Sequence, residues 1–206
     1  MARIPQPDYR RRLAIGFLVA LLLAAYAVFD AAREDALSRK LRTVDRLYHY
    51  VASPNQDDRP WHLGTGIDCI VLHATAESTL QSTIDTFESP ASRVSAHFVV
   101  GKDGTVVMMV PLEKRAWHAG VSILGDRPNV NDFSVGIEIV NANDGIDRYT
   151  SAQYAAVARI IRRVRTCCDI PDNRIVSHAS IALPPGRKSD PKRFDWPRLR
   201  RLLHRR

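Results

Sequence analysis

The stretch His178-Ala-Ser-Ile-Ala-Leu-Pro-Pro-Gly-Arg-Lys-Ser-Asp190 constrains this chain more than any other. It sets an imidazole and a carboxylate at the two ends of one loop. Its two prolines fix their φ angles, which lowers the entropic cost of holding those ends together. A His and an Asp held close supply two of three protein ligands to a metal. Three protein ligands with one open position is the arrangement of catalytic zinc. Lys188, two residues before the carboxylate, brings a cation to the same place. The third ligand has to come from elsewhere in the fold.

His73 is the candidate. Ile67–Leu72 reads as a short buried strand that runs into this imidazole, and α/β domains place ligands at strand ends. Two imidazoles and one carboxylate, His73, His178 and Asp190, suit zinc. A zinc hydrolase also needs a group to take a proton from water and a group to stabilise an oxyanion. Glu138 sits inside the apolar run Ser134–Val140. An unpaired carboxylate is costly to bury, so a function or a partner is expected for it. Lys188 supplies the cation.

The segment around these residues alternates. Ala96–Val100 and Thr105–Val110 read as strands about the turn Lys102-Asp-Gly104, and Leu80–Glu88 as a helix after a Ser78/Thr79 cap. Ser151–Cys168 reads as a long helix capped by Thr150. Ile175–Ser177 is a brief strand, and Asp195–His204 a closing helix with Pro197 in its first turn. The expected fold class is α/β: a single mixed central β-sheet flanked by helices.

Ahead of this domain, Leu13–Phe29 runs seventeen residues without a charge. As a helix it spans about 25 Å, against about 30 Å of bilayer hydrocarbon. Arg3 and Arg10–Arg12 precede it; Asp30, Glu34 and Asp35 follow. This predicts a membrane helix whose amino terminus stays in the cytoplasm while the rest is exported. It reads as a retained anchor or as a cleaved signal with Ala25-Tyr26-Ala27 as the cleavage site. Leu37, Leu41, Val44, Leu47 and Val51 then recur at helical spacing, predicting an amphipathic helix over residues 31–51. The polar stretch Ser53–Pro60 follows as a linker. The expected organisation is an anchor or signal at 1–30, helix and linker at 31–60, and a catalytic domain at 61–206.

The formal net charge of +8 invites a nucleic-acid reading, but its distribution argues against one. Residues 61–197 hold 15 Lys+Arg and 15 Asp+Glu, while the tail 198–206 holds five arginines. A neutral domain with a short basic tail lacks the broad basic face that nucleic acid needs. Three cysteines, Cys69, Cys167 and Cys168, form neither a disulfide framework nor a CxxC pattern, and leave open one bridge from Cys69.

Five segments, in order, resemble one family: Val71-Leu-His-Ala-Thr75, Ser95–Gly104, Ala116-Trp-His-Ala-Gly120, Asn131–Ile139 and His178–Pro191. They resemble the zinc-dependent N-acetylmuramoyl-L-alanine amidases of the type 2 amidase family, which includes the peptidoglycan recognition proteins and phage T7 lysozyme. The resemblance implies that His73, His178 and Asp190 hold zinc and that Glu138 and Lys188 are catalytic. It also implies that His97, Trp117 and His118 lie along the substrate groove. Ala96 stands where the T7-like branch has a tyrosine, which leaves Glu138 as the proton acceptor. The implied activity is hydrolysis of the amide between N-acetylmuramic acid and L-alanine, in peptidoglycan or its fragments. With the apolar amino-terminal helix, the expected setting is anchored in the inner membrane facing the periplasm or secreted to the periplasm, as a monomer. The contrasting readings are a receptor that binds peptidoglycan without cleaving it, and a phage or prophage lysis enzyme with the same chemistry.

Overall fold

The computed structural model describes residues 9–60 and 66–205. The expected domain start at residue 61, and Arg3, lie outside them. Two compact units divide the chain, Met1–Ser38 and Arg39–Arg206.

Helix α1 runs Tyr9–Asp45. Its apolar stretch reaches a mean hydropathy of 2.3 over eighteen residues, long and apolar enough to cross a membrane. Leu13, Phe17, Leu22 and Phe29 are all more than half exposed. The amphipathic helix expected over 31–51 is the end of this same helix and stops at Asp45. In the second unit, Leu41 and Val44 are buried on its core-facing side, four and one residues before that end.

Strand β1 (His49–Tyr50) and β2 (Gln56–Asp58) follow. The stretch expected as a linker is therefore part of the larger unit. The reason is side-chain chemistry that composition does not reveal. Ser53 Oγ donates to the Phe87 carbonyl, Asn55 Nδ2 donates to the Ser89 and Val94 carbonyls, and both residues are buried. Buried Arg59 donates Nε to the Leu112 carbonyl and its terminal nitrogens to the Asn131, Asp132 and Ser134 carbonyls. No ion pair holds it among the described residues, and burial lowers its pKa to about 9.

The core alternates as expected: β3 (Cys69–Ala74), α2 (Leu80–Glu88), β4 (Phe98–Val100), β5 (Val106–Met108), β6 (Lys114–Ala116), β7 (Ile123–Leu124), β8 (Arg127–Pro128), β9 (Ser134–Ile139), α3 (Ser151–Val164), β10 (Ile175–Ser177), α4 (His178–Ile181) and α5 (Trp196–His204). Six strands form one mixed sheet in the order β1-β5-β4-β9-β3-β10. The pairs β4–β9, β9–β3 and β3–β10 are parallel, and β4–β5 is antiparallel. The central strands are apolar on both faces because helices and loops cover both. Asp195 caps α5 rather than starting it, accepting from Arg198 N–H. Thr150 and Gln153 form a capping box on α3, which ends at Val164, four residues before the expected Cys168. All three cysteines are free, with Cys69 buried in β3.

Candidate metal centre and cleft

Register puts the chemistry in one place. His73 of β3 pairs across the parallel ladder with Glu138 of β9, and Leu72 pairs with Ser177 of β10. His178, one residue past β10, therefore arrives beside His73, with ring centroids 4.4 Å apart. Asp190 comes back along the Pro-Pro-Gly loop, whose ends are tied by the Ala179 N–H donating to the Asp190 carbonyl at 3.0 Å. Three adjacent parallel strands thus deliver two imidazoles and a glutamate to their carboxyl ends, as doubly wound sheets do.

Asp190 Oδ2 lies 3.4 Å from His73 Nδ1 and 3.0 Å from His178 Nδ1. His73, His178 and Asp190 are all buried, and their candidate ligand atoms lie within 4.8 Å of one another. His178 Nε2 is 3.1 Å from the Ala119 carbonyl, to which only an N–H can bond, so the neutral ring presents a bare Nδ1 to the site. His73 Nδ1 is buried without a hydrogen-bond partner among the described residues. Acceptor atoms turned toward one another are unfavourable unless a cation lies between them, and this donor set fits zinc. Burial lowers the His73 pKa to about 4, so the ring is neutral and ready to ligate at pH 7.

Glu138 Oε1 is 4.0 Å from His73 Nδ1, and its Oε2 is buried without a partner among the described residues. Burial first, and the nearby Asp190 second, raise its pKa to about 8, against the opposing charge of Lys188. A carboxyl tuned to neutrality can both take and return a proton. Lys188 is exposed on the wall of the same cleft, which measures about 320 Å³ and is also lined by Trp117, His118, Glu138 and Arg187.

Of the three residues expected along the groove, Trp117 and His118 line the cleft. His97 does not. It is fully buried, its Nδ1 accepts from Gly136 N–H, and its Nε2 faces Arg59 and the Lys114 carbonyl. It belongs to the layer beneath the cleft, because it lies one residue before β4 and is held at Gly136, two residues short of Glu138 along β9.

Three residues with no role expected from sequence support the site. Asn131 Oδ1 accepts from the backbone of His118 and Ala119 and fixes the loop that carries the histidine. Ser134 Oγ lies 3.1 Å from His118 Nε2. Gly136 leaves room for the His118 ring, since a Cβ there would stand 2.4 Å from Cγ. A glycine inside an apolar strand is itself a signal of close approach. Nothing in the sequence distinguishes Ser134 from any other strand serine.

A family model described as N-acetylmuramoyl-L-alanine amidase matches residues 63–193. The 1,6-anhydro-N-acetylmuramyl-L-alanine amidase AmpD of Salmonella typhimurium is 45% identical over 114 residues, covering 54% of this chain and 58% of that relative. A crystal structure of an AmpD derivative superposes with a TM-score of 0.62 at 35% identity, covering 76% of this chain and 94% of that one. Escherichia coli AmiD, in complex with anhydro-N-acetylmuramic acid-L-Ala-D-gamma-Glu-L-Lys, superposes at 0.60 and 27% identity, covering 70% of this chain and 60% of that one. The chain spans less than six-tenths of the Salmonella relative it matches. The family match nonetheless takes in every residue of the centre and of the cleft wall, and the chain belongs to the N-acetylmuramoyl-L-alanine amidase family.

Proposed function

We propose that this chain is a zinc amidase that hydrolyses the bond between N-acetylmuramic acid and L-alanine, in peptidoglycan or its soluble fragments. The observation that carries the reading is the convergence of three acceptor atoms, from His73, His178 and Asp190, beside a carboxyl whose pKa is raised to about 8. When bound there, zinc supplies a Lewis acid and makes a water at its open position acidic near neutral pH. Glu138 Oε takes the proton of the attacking water and returns it to the departing L-alanine nitrogen. Lys188 Nζ stabilises the charge that develops on the lactyl carbonyl oxygen. Trp117 forms one wall for the substrate and His118 part of the floor. His97 acts through the packing beneath them.

The exposed apolar stretch of α1 supports a membrane-held protein with its catalytic unit on the exported side, as anchor or as signal. The structural relative solved with an anhydro-muramyl tripeptide supports muropeptides as the substrate class.

The test is mass spectrometry of products from intact sacculi and from purified muropeptides, with and without added zinc. Free stem peptides that begin with L-alanine are expected. Tight retention of muropeptide without cleavage by the zinc-loaded chain would leave the receptor reading in place of the enzyme.

A further inference from the structure

His118 sits between the metal centre and the sheet, and its contacts fix more than its own position. Ser134 Oγ donates its only proton to the Val130 carbonyl at 2.6 Å. Toward His118 Nε2, 3.1 Å away, the hydroxyl therefore presents a lone pair, and Nε2 must carry the hydrogen. The neutral His118 ring then has a bare Nδ1. That atom lies 3.0 Å from His73 Nε2, which in turn must carry the hydrogen. A neutral His73 with its proton on Nε2 has its lone pair on Nδ1, the atom that faces Asp190 and Glu138.

We propose that His118 and Ser134 are positioning residues that set the tautomer of His73 and so aim its Nδ1 lone pair at the metal. His178 has its tautomer set in one step, by the Ala119 carbonyl; His73 has its own set in two, through a second imidazole and a hydroxyl anchored on the Val130 carbonyl. Gly136 is the space in β9 that admits the intermediate ring, and Asn131 holds the backbone that carries it. Partners that hold the far nitrogen of a ligating histidine typically account for about 10- to 100-fold in metal affinity. This role rests on the metal-site reading given above, but the tautomer itself is readable without metal.

The experiment uses the full chain in detergent, stripped of metal with a chelator. Long-range proton–nitrogen spectra of the histidine rings report which nitrogen carries each proton. His73 and His118 are both expected as Nε2–H, and a proton on His73 Nδ1 overturns the relay. Zinc affinity is then measured by competition with a chromogenic chelator. Ser134→Ala is expected to weaken zinc binding by about 10- to 100-fold and to raise the Nδ1–H fraction of His73 in the metal-free spectra. His118→Gln, which keeps an acceptor for His73 Nε2–H, is expected to bind zinc more tightly than His118→Leu. Wild-type zinc affinity in a Ser134→Ala protein with a wild-type melting temperature overturns the proposal. A wild-type chain that binds no zinc refutes the metal reading instead, and the ring spectra still decide the tautomer.

Discussion

Replacing Glu138 by Gln is expected to stabilise the metal-free protein while slowing the enzyme, and the stabilisation has a definite pH signature. The folded carboxyl holds its proton up to about pH 8, whereas a glutamate in the unfolded chain releases it near 4.5. Below pH 4.5 both states are protonated and the site costs nothing. As pH rises, the unfolded chain releases a proton that the fold keeps, and stability falls by about 1.4 kcal/mol per pH unit, levelling off above about 8. The loss is about 3 kcal/mol at pH 7 and about 5 above pH 8. Both are ceilings, because the side chain retains 14% of its exposure. Gln resembles the protonated acid in size and polarity and cannot ionise, so the variant escapes this loss. Denaturant unfolding with chelator present, at pH 5 and pH 8, measures it. The advantage of the variant should be under about 1 kcal/mol at pH 5 and several kcal/mol at pH 8. Equal advantages at the two pH values would refute the burial argument. With zinc restored, the nearby dication favours the carboxylate and the pH dependence should shrink. Turnover of the zinc-loaded variant should fall by about 10²–10⁴-fold, the usual contribution of a general base. A zinc-loaded, fully active Glu138→Gln enzyme would remove the carboxyl from the proposed reaction.

His178→Ala leaves two of three ligands and should abolish both zinc retention and turnover, checked by elemental analysis of the purified chain. Lys188→Met keeps the aliphatic stem and removes the cation, so turnover should fall by about 10²–10³-fold while zinc content and melting temperature stay put. Combined with Glu138→Gln it should lose less than the product of the single losses, since both groups act on one transition state. Asn131→Ala removes the acceptor for two backbone N–H groups and should cost about 1–3 kcal/mol in chemical unfolding. The full chain should sediment with membranes and residues 39–206 should remain soluble; a mature amino terminus at Val28 would mark cleavage after Ala27 instead.

Much of the centre was legible because its residues lie in short segments whose spacing reports geometry. His73 and Glu138 each fall within an apolar strand, and His178 and Asp190 close a proline-rich loop, so their meeting follows once the strands are taken as neighbours. Strand limits were less legible. His73 lies within β3 and not after it, because the ladder with β9 continues to Ala74 and Ile139. The supports were mostly illegible: Asn131 and His97 act through hydrogen bonds to backbone groups distant in sequence, and Ser134 through the distant His118 ring, and residue type alone does not specify such partners. Arg59 was hidden most completely. A polar, proline-flanked stretch reads as linker until one sees that its arginine enters the core to meet carbonyl groups.

That buried arginine also decides how the domain takes a mechanical load. A chain held at its amino-terminal helix transmits any pull to the catalytic unit through the segment after residue 39. There the load meets β1, hydrogen-bonded along β5 at the opposite end of the sheet from β10. It next meets the side-chain bonds of Ser53 and Asn55, and then the guanidinium grip of Arg59 on the carbonyls of Leu112, Asn131, Asp132 and Ser134. These attachments are arranged in series and would yield one after another. The strand bearing His73 and the one leading into His178 come later in the chain, so in a chain held by its amino-terminal helix the segment up to Arg59 would yield first, leaving the pairing of β3, β9 and β10 in register.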